Sequence, residues 1–86
     1  MDKEKIKTFI EQKISDRIRL LGLDNVKINA QTDLVREGYY DSLSFVDLIG
    51  ECEEEFLVEV QLEKYDPKDF SILHHLVEII HQAKAR

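Results

Sequence analysis

The sequence predicts an all-α fold: a small four-helix bundle made of three main helices and one short helix, with a long first loop. Three observations lead there. Apolar residues recur at helical spacing in three separate stretches, near residues 3–21, 42–56 and 71–83. The one segment with strand propensity, Phe56-Leu57-Val58-Glu59-Val60, has no evident pairing partner, so it reads as an extended connection. Finally, 86 residues make one domain, spanning 1–86. A chain of this length buries only a little over ~60% of its unfolded surface. Its core is small and leaves no room for a deep pocket, which weighs against a self-contained enzyme.

The first helix is expected over residues 3–21. Ile6, Phe9, Ile10, Ile14, Ile18 and Leu21 form its buried stripe, and Gly22 ends it in a left-handed conformation. From Gly22 to Tyr40 no period is sustained. Asp24-Asn25, Asn29, Thr32-Asp33 and Gly38 are turn formers. Long ordered loops of this kind are often functional. Val26, Ile28, Leu34 and the Tyr39-Tyr40 pair are expected to pin it to the core.

Asp41 or Ser42 caps the second helix, because both side chains accept hydrogen bonds from the free amides of a first helical turn. Phe45, Leu48, Ile49, Cys52 and Phe56 share one face, the core stripe, and Ile49, Cys52 and Phe56 are expected to pack against the first and last helices. Asp47, Glu51 and Glu55 lie roughly opposite. Leu43, Val46 and Gly50 form a narrow third strip bordered by Asp47 and Glu54. An apolar strip off the core face and edged with acids marks a partner surface. Beyond it, the connection at residues 56–60 buries Leu57 or Val58. Residues 62–69 contain Pro67 and allow only a short helical turn. Ser71 caps the last helix, whose apolar face is Ile72, Leu76, Ile79, Ile80 and Ala83.

Charge narrows the partners. The chain has 12 basic and 18 acidic residues, a net charge of −6. It is repelled by nucleic acid and by anionic membrane surfaces, and attracted to basic protein patches. Residues 41–59 hold Asp41, Asp47, Glu51, Glu53, Glu54, Glu55 and Glu59 and no base. That run is either a solvated helix face or a docking face for basic partners. Cys52 is the only cysteine, which excludes an internal disulfide or a cysteine-based metal site. Met1-Asp2-Lys3-Glu4-Lys5 leads into no long apolar run, so neither a signal peptide nor membrane insertion is expected and the chain reads as cytoplasmic.

Asp41-Ser42-Leu43 stands at the start of the acidic helix. With that helix, the order of elements and the length, it resembles the carrier proteins (acyl, peptidyl and aminoacyl) over roughly residues 3–82. Thr32-Asp33-Leu34, Val46-Asp47-Leu48, the run Glu53-Glu54-Glu55-Phe56 before Val58-Glu59-Val60, and Phe70-Ser71-Ile72 are similar to further family segments. Gly38-Tyr39-Tyr40-Asp41-Ser42 has the spacing of aminoacyl and peptidyl carriers, one residue longer than that of fatty-acid carriers. Leu57 stands where the family commonly has glycine, and no proline follows Val60.

The resemblance implies a bundle of acyl-carrier-protein type and a freestanding, non-catalytic, monomeric carrier. Ser42 would bear a covalent 4′-phosphopantetheine arm derived from coenzyme A, with Asp41 in support. Acyl or aminoacyl groups would ride on the arm as thioesters. The implied partners are a phosphopantetheinyl transferase, an adenylating enzyme that loads the cargo, and a downstream transferase or synthase. Leu43, Val46, Asp47, Glu51 and Glu54 would form the face these enzymes grip.

Rival readings weigh less. A hydrolase built on Ser42 needs a base and an orienting acid. His74, His75 and His81 are available, but no Gly-x-Ser-x-Gly elbow exists. A zinc site needs three or four converging ligands, and His75 does not share the face of His74 and His81. Without the resemblance, Ser42 reads as a plain helix cap. The chain as a whole then reads as an unmodified acidic helical domain that binds a basic protein.

Overall fold

The first helix, α1, spans Lys3–Leu20 in the computed structural model, which describes residues 2–86; Met1 lies outside the described residues. Asp2 caps α1 by accepting the Glu4 N–H at 2.9 Å. Ile6, Ile10 and Ile14 are fully buried, and Phe9 and Ile18 pack half-buried beside them. Leu21 lies beyond the helix end and is 41% exposed, so it does not extend the stripe. Gly22 adopts φ +73°, as its position predicted. Its N–H bonds to Arg19 O at 3.0 Å, and the Leu23 N–H bonds to Ile18 O at 3.2 Å. These paired bonds satisfy carbonyls that the helix end leaves free.

Two further helices complete the core, α2 at Ser42–Phe56 and α3 at Leu73–His81, and α1 packs against both. Phe45, Leu48, Ile49 and Cys52 from α2 meet Leu73, Leu76, Val77 and Ile80 from α3 around the α1 isoleucines. Leu73 and Val77 widen the α3 face beyond the residues predicted for it, while Ile72 and Ala83 are half-buried at its edges. The short helix is a single 3-10 turn at Leu62–Lys64. Phe70 follows it and stacks on Phe45 with ring centroids 5.6 Å apart.

The long first loop is fastened to the start of α3. Leu34 is fully buried in it, and Tyr40 nearly so. The Leu34 N–H donates to Ser71 O at 2.9 Å, and Leu34 O accepts the N–H groups of Tyr39 and Tyr40. Beside it, Asp33 Oδ1 accepts from Ser71 Oγ at 2.7 Å and from the amides of Val35 and Arg36. Burial pushes the Asp33 carboxyl up, but these hydrogen bonds outweigh it and hold the group below its ordinary value.

Ser71 does not cap α3; it is buried and its hydroxyl is spent on Asp33. The cap residue is Ile72, which has no side-chain acceptor. The first α3 amides, Leu73 and His74, donate instead to Thr32 O and Ala30 O at 2.9 and 3.0 Å. Loop carbonyls thus replace a capping side chain.

The extended connection does find a partner. Val58–Glu59 (β1) pairs antiparallel with Lys84–Ala85 (β2), in the register Val58 with Ala85 and Glu59 with Lys84. Within that connection Val58 is the buried residue and Leu57 is exposed. Phe56 is only half-buried, packed edge-on against Phe9 at 5.4 Å, and is not a full core residue.

Leu57 ends α2 in the left-handed region, at φ 55° and ψ 51°, where its N–H reaches Glu53 O. A side chain in that conformation costs roughly 1–2 kcal/mol. Glycine escapes the penalty but has more freedom to lose on folding. Because Leu57 is 65% exposed, little burial offsets the strain. Leu57→Gly is therefore expected to stabilise the fold by up to about 1 kcal/mol, read as a rise of several degrees in thermal midpoint. A lower midpoint would mean that the leucine side chain holds the α2–β1 corner.

Candidate functional site

Asp41, not Ser42, is the cap of α2. Its Oδ1 accepts the Ser44 N–H at 2.8 Å and the Ser44 hydroxyl at 2.9 Å. In return Ser44 Oγ accepts the Asp41 N–H at 2.9 Å, which closes a reciprocal capping box. The Ser44 amide, then its hydroxyl, hold the Asp41 carboxyl below the usual carboxylate range.

This division of labour leaves Ser42 uncommitted. It is the first residue of α2, it is exposed, and its hydroxyl has no hydrogen-bond partner among the described residues. The reading of Ser42 as a plain cap is thereby displaced. An exposed alcohol at a helix start fits a covalently attached phosphodiester, because the helix dipole and free amides favour negative charge there.

Two unexpected side chains organise the same turn. Ser44 is one, and its position three residues after Asp41 is the only sequence signal for it. Arg17 of α1 is the other. Its Nε donates to Tyr39 O at 2.9 Å, and its Nη2 lies 3.4 Å from Ser44 Oγ. The guanidinium also sits 5.3 Å from the centroid of the Tyr40 ring. No motif announces Arg17, since its partners are more than twenty residues away.

A family model described as the phosphopantetheine attachment site matches residues 18–67, more than half of the chain and the segment that contains this turn. The chain belongs to the phosphopantetheine-bearing carrier proteins. A D-alanyl carrier protein of Streptococcus uberis is 32% identical over 69 residues, which is 80% of this chain and 87% of that protein. D-alanyl carrier proteins of Lacticaseibacillus rhamnosus and Lacticaseibacillus casei are each 29% identical over 84 residues, 98% of this chain and 100% of each relative. No solved structure gives a significant match. As in its family, the carrier protein holds its cargo on a covalent 4′-phosphopantetheine arm and works with enzymes that load it and unload it. Carrier proteins are in general non-catalytic.

Around the turn, the carrier protein exposes apolar side chains. Leu43 is 80% exposed and Val46 54%, both on the α2 strip that the sequence singles out. Asp47 is also exposed and lines the groove between α1 and α2 with Lys13, Arg17, Leu20 and Tyr40. The two remaining acids of the expected docking face are already engaged. Glu51 pairs with Lys13 at 2.7 Å, which raises the Lys13 pKa, first through that hydrogen bond and then through the charge. Glu54 pairs with Arg86 at 3.2 Å. Glu53 turns inward as well and accepts the Val60 N–H at 2.8 Å.

The histidines stand apart from this turn. His74 and His75 open α3 with their rings 4.0 Å apart, and His75 Nδ1 lies 3.0 Å from Asp69 O. Among the described residues neither ring is hydrogen-bonded to Ser42 or Asp41. Among the described residues no group of three or more histidine, cysteine or acidic side chains converges to hold a metal. No helix of the described residues is long and apolar enough to cross a membrane.

Proposed function

We propose that residues 1–86 act as one monomeric, non-catalytic, cytoplasmic carrier domain that receives its arm on Ser42 and holds an aminoacyl group. The observation that carries the assignment is the free, exposed Ser42 hydroxyl directly after the cap Asp41, inside the matched segment. D-alanine is the cargo favoured, by likeness to the D-alanyl carrier proteins, with an adenylating enzyme as its loader and a downstream transferase or synthase that takes it off.

In the attachment step, Ser42 Oγ attacks the pantetheine-side phosphorus of the coenzyme A diphosphate, supplied by a phosphopantetheinyl transferase. The serine proton passes to a base of the transferase. The bond from that phosphorus to the bridging oxygen breaks, and the nucleotide bisphosphate departs with the electron pair. When bound, the arm supplies a thiol that forms a thioester with the cargo. Asp41 has a second role within reach. Its capping bonds fall on Oδ1, so Oδ2 is left without an internal partner among the described residues and is available to the transferase or its metal. Incubation with coenzyme A, Mg²⁺ and a broad-specificity transferase, followed by intact mass, tests the reading. A gain of one phosphopantetheinyl group supports it. A folded protein that gains none is the unmodified interaction domain instead.

Docking is assigned to Leu43, Val46 and Asp47, with Glu51 and Glu54 as weaker contributors because each already has an internal cation. Apolar contact supplies affinity, and unpaired acid supplies steering. Asp47→Lys is expected to slow modification roughly 3- to 10-fold at low ionic strength, and the defect should shrink as salt screens the attraction. Glu54→Lys should do less. Wild-type rates for Asp47→Lys in dilute buffer would reduce the acidic helix to a solvated face.

A further inference from the structure

The Arg17 clamp is not explained by packing alone. Its two hydrogen-bond partners, Tyr39 O and Ser44 Oγ, lie on either side of Asp41 and Ser42 in the chain. Both are reached from α1, so one side chain of a different helix spans the whole turn on which Ser42 is presented. The bond at Tyr39 O is short, 2.9 Å, and fixes the chain as it enters the turn. The contact at Ser44 Oγ, 3.4 Å, is longer, but it bears on an oxygen that is already shared with Asp41. Ser44 Oγ accepts the Asp41 N–H and donates its own proton to Asp41 Oδ1, so Arg17 is one hydroxyl away from the Asp41 carboxylate. The Arg17 charge also acts on Asp41 in the direction that favours the carboxylate.

Steric support for Arg17 comes from Tyr40. The guanidinium lies over its ring, and the Tyr40 hydroxyl donates back to Lys13 O on α1 at 3.4 Å. A planar, forked cation suits this position, because its donors sit on separate nitrogens in a fixed plane whose face stacks on the ring, whereas the donors of an ammonium all radiate from one nitrogen on a flexible stem.

We propose that Arg17 is a positioning residue for the attachment reaction: it locks the Tyr39–Ser44 turn so that Asp41 and the Ser42 hydroxyl meet the transferase in one geometry. The proposal rests on the reading of Ser42 as the attachment site. It places the effect in turnover and not in docking, because the hydrogen bonds of Arg17 go to Tyr39 O and Ser44 Oγ and to none of the docking side chains Leu43, Val46 and Asp47. Misplacing a reacting hydroxyl by a fraction of an ångström lowers the rate of the bound complex and leaves the affinity of the complex largely intact.

The test varies the concentration of the carrier in the transferase assay and follows holo-protein by intact mass, well below each variant's thermal midpoint. Arg17→Met, which keeps the apolar stem, is expected to lower kcat about tenfold while KM for the carrier stays within about twofold. Arg17→Lys, which keeps the charge without the fork, is expected to remain about threefold slow. Arg19→Met, on the exposed side of the same helix, should match wild type. Amide resonances of Asp41 and Ser44 in the apo-protein should move in Arg17→Met and stay in place in Arg19→Met. If Arg17→Met does not fold, Arg17→Lys and its Asp41 and Ser44 resonances decide. A folded Arg17 variant with wild-type kcat, or with its whole defect in KM, overturns the positioning role. A wild-type protein that gains no mass overturns the carrier reading and this proposal with it.

Discussion

Ser42→Ala is expected to fold as the wild type does and to gain no mass with coenzyme A and a transferase. Both halves of that expectation come from the capping geometry. The Ser42 hydroxyl takes no part in the box that starts α2, which belongs to Asp41 and Ser44. Its removal therefore takes away no internal hydrogen bond, and helical circular dichroism and thermal midpoint should be close to wild type. The nucleophile is gone, so modification should fall below detection. Ser44→Ala is the complementary control. It breaks the box and should cost about 1 kcal/mol of stability, yet that protein should still gain the mass. Modification of Ser42→Ala at a normal rate would move the attachment point elsewhere and end the assignment.

Leu34→Ala should be among the most destabilising single changes in the chain, although Leu34 lies in a loop. Its side chain is fully buried, and truncating a buried leucine costs about 2–5 kcal/mol. A small domain has roughly 5–15 kcal/mol to lose. The backbone of Leu34 also holds Ser71, Tyr39 and Tyr40, so a collapse at this point would reach both the start of α3 and the entry to α2. Phe56→Ala gives the contrast. Full burial would make it cost about 3–5 kcal/mol. Half-burial against Phe9 lowers that to about 1–2 kcal/mol. Chemical denaturation of the two variants orders them. A larger loss for Phe56→Ala would show that the loop is a passive connector.

The sequence made visible whatever is local or periodic. The isoleucine stripe of α1, the Gly22 stop and the Phe45–Cys52 face of α2 are patterns within a single element, and each appears where its spacing puts it. What stayed hidden depends on distant partners. Ser71 has the composition of a helix cap, but Asp33, thirty-eight residues earlier, takes its hydroxyl. Two-residue strands carry no period, so nothing in Val58-Glu59 points to Lys84-Ala85. Phe56 falls on the core face of a helical wheel, yet at the last turn of α2 it is only half-buried against Phe9, and the core position that follows is taken by Val58 beyond the helix end. At the site itself, Asp41 and Ser42 could be named from a tripeptide. Which of them caps, and that Arg17 and Ser44 complete the turn, required the fold. The acids of α2 show the same limit, because a helix face records charge and not the cations Lys13 and Arg86 that answer it across the surface.

Cys52 gives the chemistry a further turn. It is the chain's only thiol, it has no exposed surface, and burial pushes its pKa up to about 12. Thioesters exchange readily with thiolates, so an accessible cysteine on the carrier itself would compete for the cargo by transthioesterification and strand it on the protein. Sequestered and protonated in the core, Cys52 is no acceptor. The folded carrier is therefore blank to thiol reagents before the arm is attached and should react at a single sulfur afterwards. An alkylating dye applied under native conditions would then report the arm thiol directly, and protection of that sulfur from the dye would report loading.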